Sequence, residues 1–417
     1  MSRTEPTVPG LVADLFRHAY GRVVATLVGR LGPERFDLAE DATQDALLAA
    51  LRTWPFAGVP ADPAAWLFQA AWRRALDRLR RESTAQRLEP VLAAEAARAA
   101  PGEADVPDDL LALLVTCAAL PLPREVVVPL ALNVVAGLGA REIARALLLE
   151  EATVAQRLVR AKRGLRATPG LVALRSDGAA LAAALPAAVE VVYLIFNEGF
   201  APTRGPDPIR LDLCAEALRL ASALAEHPST RGSTTHALAA LTCLLAARLP
   251  ARADGGQLIL LPDQDRGRWD ARLIAAGFRH LESAIGGDPI TRLHLEAEIA
   301  ALHAAAPSFP QTDWGRVVAA YDKLLQLEDS PVVRLNRSVA VAELHGAAAG
   351  LVELESLPDV PALQRSPWYH AARGRLLTAA GQRDQAHAAL TRALTLTETG
   401  PARDFLAREL ARIAVPA

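Results

Sequence analysis

Five arginines, Arg73, Arg74, Arg78, Arg80 and Arg81, fall within the stretch PAAWLFQAAWRRALDRLRRE at residues 63–82. A guanidinium is permanently charged and presents a planar fork of donors, so a row of them suits oxyanions such as backbone phosphates. Helical spacing separates this stretch into two faces. At 100° per residue Phe68, Trp72, Ala75, Leu76 and Leu79 share one arc, and the five arginines with Asp77 share the other. One face is core and the other is guanidinium. Pro63 suits a first helical turn, where no needed donor is lost. A charged outer face also serves simply to keep a helix solvated, so the neighbouring segments decide what this one means.

A second basic segment, GAREIARALLLEEATVAQRLVRAKRGLR, occupies 139–166. It reads as a short helix over Arg141–Leu147, a tight connection, and a second helix from about Ala152. In the second helix Val154, Leu158, Ala161 and Leu165 form a narrow packing stripe. Thr153, Gln156, Arg157, Arg160 and Arg163 share a polar arc. This is a helix-turn-helix pattern whose polar residues suit phosphates and base edges; arginine pairs bidentately with guanine and glutamine with adenine. Residues 151–166 carry five basic and one acidic side chain. Leu148 and Leu149 stand in the turn where glycine is common.

The acidic counterpart lies upstream. FDLAEDATQDALLAALRTW, 36–54, places Asp37, Glu40, Asp41 and Asp45 ahead of its single Arg52. Asp41, Gln44 and Asp45 fall at i, i+3 and i+4 on one face. Early acids favour a helix N-terminus, and the same face suits a basic protein partner.

The elements that position these groups are helical almost throughout. Helical apolar spacing marks 38–53, 64–82, 109–120, 141–147, 152–166, 209–226 and 234–249, and the one short run that reads as a strand is 257–261. Breaks are expected at 54–63, 101–108, 167–170 and 201–208, with the Pro/Gly-containing 101–108 as an interdomain linker and 83–100 as an Ala-rich helix or loose segment. In 369–401, Gly374, Leu377, Gly381, Ala386, Leu390 and Ala393 have the spacing of a tetratricopeptide hairpin, and 313–346 fits two helices broken at Pro331. The alternative is a non-repeating helical bundle.

Composition sets the bounds. A chain of 417 residues suggests two or three domains. Lysine occurs only at 162 and 323, so 43 of 45 basic residues are arginine. Residues 1–170 carry 21 basic and 20 acidic side chains and 171–417 carry 24 and 27, so any electrostatic site must be a local cluster. Cys117, Cys214 and Cys243 are isolated, and no His–Cys cluster has metal spacing, which fits a reduced cytoplasmic setting without metal or cofactor. The apolar run 179–196 is interrupted by Pro186 and Glu190 and reads as a buried helix rather than a membrane span. An enzyme built on Asn197, Glu198 and the histidines lacks a nucleophile–base pair and a phosphate-binding glycine loop, so no catalytic residue is assigned.

The order of acidic helix, Trp/Pro loop, Arg/Trp helix, linker and helix-turn-helix resembles bacterial sigma factors of the extracytoplasmic-function type, within the sigma-70 family. DLAEDATQDALLAAL is similar to their core-polymerase-binding helix. PAAWLFQAAWRRALDRLRRE is similar to the helix at the minus-ten element, and REIARALLLEEATVAQRLVRAKRGLR to the minus-thirty-five reader, with Ala155 where many relatives have a basic residue. VVYLIFNEGFAPTRG at 191–205 and DWGRVVAAYDKLLQLEDSPVVRLNRSVAVAEL resemble the branch with a tetratricopeptide-like C-terminal extension.

The resemblance implies an all-α fold in which two small helical domains, the second a helix-turn-helix, precede a tetratricopeptide-like array. Region 2 would span 1–90, a linker 91–108, region 4 109–168 and the extension 171–417. Core RNA polymerase would dock on Asp37, Glu40, Asp41, Gln44 and Asp45. Promoter DNA would lie on Trp66, Arg73, Arg74, Arg78, Arg80 and Arg81 near minus ten, and on Thr153, Gln156, Arg157, Arg160 and Arg163 near minus thirty-five. Tyr193, Phe196, Asn197, Glu198 and Phe200 are candidates for an intramolecular regulatory contact between the extension and the sigma domains. The competing expectation is a helix-turn-helix regulator with a tetratricopeptide-type interaction domain, which leaves 36–82 without a role.

Overall fold

The computed structural model describes residues 8–83, 106–147, 149–168, 178–203, 205–286, 289–357, 361–397 and 400–414. Most of the expected linker and the Ala-rich segment, 84–105, lie outside the described residues. The chain forms two compact units, Met1–Ile195 with His227–Thr230, and Phe196–Glu226 with Arg231–Ala417. The all-α expectation holds.

The first unit begins with α1 (Val8–Leu31), α2 (Phe36–Ala57) and α3 (Pro63–Ser83). Tyr20, Val23, Val24, Leu27, Val28 and Leu31 line the inner side of α1 at three- and four-residue spacing. Opposing them, α2 buries Phe36, Ala39, Ala42, Thr43, Ala46, Leu47, Ala50 and Trp54. From α3 come Leu67, Ala71, Trp72, Ala75, Leu76 and Leu79. At its start the Ala65 backbone N–H donates to the Asp62 carboxylate at 2.9 Å, capping the helix.

The break expected at 54–63 is shorter in the structure, because α2 continues through Pro55 and ends at Ala57. So close to a C-terminus the proline removes a single backbone bond. Gly58, at φ 82°, ends the helix and donates to the Trp54 carbonyl at 3.1 Å.

Three helices, α4 (Val106–Ala118), α5 (Arg124–Ala136) and α6 (Ala140–Ala146), lead to α7 (Glu151–Arg166). Since α4 starts at Val106, it takes in the end of the stretch read as linker; Pro107 sits in its first turn. Buried on every side, α5 packs against α1, α4, α6 and α7. The helix-turn-helix pair packs as its stripe predicts, with Ile143 and Ala144 of α6 and Val154, Leu158, Ala161 and Leu165 of α7 buried.

The chain passes from the first unit to the second within α8 (Gly178–Phe200), between Ile195 and Phe196, whereas the sequence reading places a boundary near 171. Leu181–Phe200 is long and apolar enough to cross a membrane, and half of it is buried inside the protein. In the second unit α9 (Leu211–Glu226) and α10 (Ser233–Ala246) precede a four-residue helix, α11 (Leu249–Arg252). The strand expected at 257–261 is reduced to a two-residue ladder, Ala253–Asp254 with Gln257–Leu258, closed by Gly255 and Gly256 at φ 54° and 81°.

Helices α12 (Ala271–Ala284) and α13 (Arg292–Ala305) are followed by two helical hairpins. These are α14 (Trp314–Leu327) with α15 (Pro331–His345), broken at Pro331 as expected, and, after α16 (Ala347–Glu355) and α17 (Pro361–Gln364), α18 (Pro367–Ala379) with α19 (Arg383–Leu396), before a final α20 (Gly400–Ala414). A Cβ added at Gly374 would stand 2.7 Å from the Leu390 side chain, so glycine sets the close crossing of α18 and α19. Ala386 and Ala393 are fully buried on the facing helix. The three cysteines are buried, and burial pushes the thiols of Cys117 and Cys214 up to about 12 and that of Cys243 up to about 11.

Candidate nucleic-acid interface

The acidic and the arginine-rich faces sit on consecutive, packed helices of the first unit. On α2, Asp41, Gln44 and Asp45 are exposed, as their spacing predicts, and Asp37 and Glu40 are half-buried. The exposed line continues with Leu48 and Leu51, 50% and 39% exposed, giving a surface that is acidic at one end and apolar at the other. These two leucines were passed over in the sequence because they fit a helical core stripe equally well.

On α3, Arg73, Arg78, Arg80 and Arg81 are exposed and Arg74 is half-buried, its guanidinium bonding the Ala70 carbonyl at 3.3 Å. Arg78 pairs with Asp41 at 2.9 Å, so a residue from each face meets the other. Both side chains are half-exposed, which limits such a pair to about 0–1 kcal/mol. Arg80 lies 3.7 Å from Asp77 on its own helix.

Trp66 is half-buried with its ring edge-on to Trp54, centroids 5.2 Å apart. Trp72 is buried, stacked on Phe68, and Arg30 lies over both rings at 5.6 and 5.0 Å. The exposed aromatic ring near this helix end is Phe56, 92% exposed, and Val59, 43% exposed, follows three residues later. Because α2 extends past Pro55, Phe56 rides on its last turn instead of in a loop.

The polar arc of α7 leaves Gln156, Arg160 and Arg163 exposed and Thr153 and Arg157 half-buried. Arg157 donates to the Glu125 carbonyl at 3.1 Å. Val159, 55% exposed, adds an apolar group beside this arc.

The structure also joins the acidic helix α2 to α7, which the sequence did not reveal. The Lys162 ammonium donates to both carboxylate oxygens of Glu40, each at 2.8 Å. It also lies 5.4 Å from the centroid of the Phe36 ring. Tyr20 donates its hydroxyl to the same carboxylate at 3.1 Å, and burial, then the Glu40 charge, pushes the phenol pKa well above its usual range. At the end of α7, Arg166 pairs with Asp37 at 3.1 Å. A signal was present: Lys162 is one of two lysines among the basic residues and lies on the side of α7 away from Thr153.

The stretch singled out around 193–200 is divided. Tyr193 belongs to the first unit and the remaining residues to the second. Phe196 and Glu198 are buried and so unavailable as surface contacts. Phe196 stacks on Phe200 at 5.9 Å, and the Glu198 carboxylate accepts from the Thr203 amide and hydroxyl at 3.0 and 3.1 Å. Asn197 and Phe200 are half-buried. No group of three or more His, Cys, Asp or Glu arranged to hold a metal occurs among the described residues.

An acidic helix packed on an arginine-faced helix falls within a family model: sigma-70 region 2 matches residues 15–84, so the first unit carries a sigma-70 region 2 domain. Residues 184–285 match a family of unknown function (DUF6596). The chain is 37% identical over 391 residues to an uncharacterized protein, R00370, of Rhizobium meliloti (strain 1021), covering 91% of this chain and 90% of that one. The protein belongs to the family of that rhizobial protein. No solved structure matches.

Proposed function

We propose that the protein is a sigma factor of the extracytoplasmic-function type, which binds core RNA polymerase and directs initiation at particular promoters from the cytoplasm. The observation that carries this reading is the region 2 match over 15–84, where acidic and arginine faces occupy adjacent helices. In this reading 1–90 is region 2 and 109–168 is region 4. Asp37, Glu40, Asp41, Gln44 and Asp45 dock on polymerase, with Leu48 and Leu51 supplying apolar contact. Arg73, Arg74, Arg78, Arg80 and Arg81 lie along phosphates near minus ten, where affinity is gained but little sequence is read. Phe56, more than Trp66, offers the stacking surface that an unpaired base needs. Thr153, Gln156, Arg157, Arg160 and Arg163 read minus thirty-five. The helical hairpins of 171–417 form a tetratricopeptide-like extension that regulates initiation, in place of a separate regulator, through an intramolecular contact with the sigma domains.

The ion pairs between α7 and α2 bear on this mechanism. Lys162 and Arg166 already hold Glu40 and Asp37. Docking through those two carboxylates therefore requires α7 to release them. The test is association of the full chain with core polymerase. Asp41→Arg with Asp45→Arg reverses two exposed charges and is expected to abolish capture while helical content is kept; wild-type capture would remove the assignment.

A further inference from the structure

The second unit holds three arginines around two aromatic rings. Arg248 and Arg252 flank the short α11 at i and i+4, which puts their side chains on the same side. Arg252 lies 3.9 Å from the Phe200 ring centroid and Arg248 5.9 Å from it. Arg248 is also 5.6 Å from the Trp269 ring, and Arg266 4.6 Å from it. His303, from α13, joins the group because Arg266 donates to the His303 carbonyl and, at 2.7 Å, to that of Ala306. Arg248, Trp269 and His303 are all buried.

This cluster lacks a counter-charge. None of the three guanidiniums has a carboxylate partner among the described residues; Asp265, next to Arg266 in the chain, accepts from the Gly267 amide at 2.9 Å. Their own polar contacts are sparse: Arg252 Nε to the Phe200 carbonyl at 3.0 Å and Arg248 Nε to Gln264 Oε1 at 3.4 Å. Three buried atoms have no hydrogen-bond partner, Arg266 Nη2, Trp269 Nε1 and His303 Nδ1. Buried donors left without a partner are costly, and like charges gathered around the buried Arg248 add to that. Burial, then Arg252 and Arg266, push the Arg248 guanidinium down to about 9; burial, then Arg248 and Arg266, push His303 down to about 4. Burial is the larger cause in both, and the neighbouring guanidiniums add to it.

We propose that Arg248, Arg252 and Arg266, with the Trp269 indole N–H, form a binding site for a small oxyanion, the phosphate or carboxylate group of a small molecule. An oxyanion accepts from several planar guanidiniums at once and offsets their mutual repulsion. The aromatic faces of Phe200 and Trp269 fix the guanidiniums before the ligand arrives, so little side-chain freedom is lost on binding. Burial of Arg248 and Trp269 favours a small molecule over a segment of another protein. Phe200, Arg248, Arg252, Arg266 and Trp269 all fall in the segment of unknown function at 184–285, and nothing in the proposal depends on the transcriptional reading.

The test is calorimetric titration of the full chain with inorganic phosphate and, separately, with succinate, at constant ionic strength set by chloride. Saturable binding of phosphate alone identifies a phosphorylated ligand, and of succinate alone a carboxylate. Either is expected to weaken at least about tenfold in Arg252→Gln, since one charge-assisted bond is lost. Trp269→Phe, which keeps the aromatic face and removes only the indole donor, is expected to weaken binding by a smaller factor and guards against failure of the arginine variant to fold. Absence of saturable binding for both anions in the wild-type chain, or binding unchanged in both variants, overturns the proposal.

Discussion

Replacing Lys162 with methionine removes the ammonium from between the Glu40 oxygens and keeps most of the apolar stem. At an effective dielectric of about 20, two unit charges separated by the observed 2.8 Å attract by about 6 kcal/mol. Both side chains are largely buried, 20% and 18% exposed, so desolvation offsets most of that gain. The net loss is expected at about 1–3 kcal/mol, above the range of exposed pairs. Hydrogen exchange of the full chain measures it locally. In Lys162→Met, amides in the first turns of α2 and the last turns of α7 should exchange about 10–100 times faster, while those of α5 stay protected. Glu40→Gln should produce a similar acceleration. The double variant should exchange little faster than either single one, because each breaks the same contact. Fully additive effects, or acceleration spread evenly over the first unit, would refute the idea that this ion pair fastens α7 to α2.

Two further outcomes follow from particular residues. Gln156 and Arg160 are exposed on the polar arc of α7, so, under the proposed function, Arg160→Ala should cost about 1–3 kcal/mol at one promoter position if the side chain reads a base, or lower the salt slope by about one if it holds a phosphate; electrophoretic shifts across salt concentrations distinguish these, and unchanged binding removes the residue from the interface. His303, pushed down to about 4 by burial and then by Arg248 and Arg266, is protonated more readily in the unfolded chain, so its contribution is complete above about pH 6.5 and lost as pH falls towards 4, at most about 3 kcal/mol. Thermal denaturation of the wild type should therefore fall more steeply across that window than that of His303→Gln, and identical slopes would contradict the assignment.

Much of the fold was legible in the sequence because apolar periodicity survives folding. The stripe Val154, Leu158, Ala161, Leu165 and the core arc of α3 are buried as their spacing indicates. Boundaries were less legible. Pro55 reads as a break, yet a proline in a last turn costs only one bond, and the helix carries Phe56 into solvent. The stretch around Phe196 and Glu198 looked distinctive enough for a surface role, but distinctive residues also build cores, and a buried glutamate satisfied by Thr203 gives no outward sign in sequence. Pairing between distant residues was the hardest to see. Glu40 and Lys162 stand 122 residues apart, and the arginine cluster draws on α8, α11, a turn and α13. No local pattern encodes such meetings.

The scarcity of lysine gives the Lys162 contact one more property. Of the two primary ammonium side chains, Lys323 is exposed on α14, while Lys162 is enclosed against Phe36 with both oxygens of Glu40 on its nitrogen. An acylating reagent needs an accessible amine, so Lys323 should react ahead of Lys162 as long as α7 stays on α2, and the difference should narrow when the helices part. The protein thus carries its own chemical reporter of that separation, with Lys323 as an internal standard.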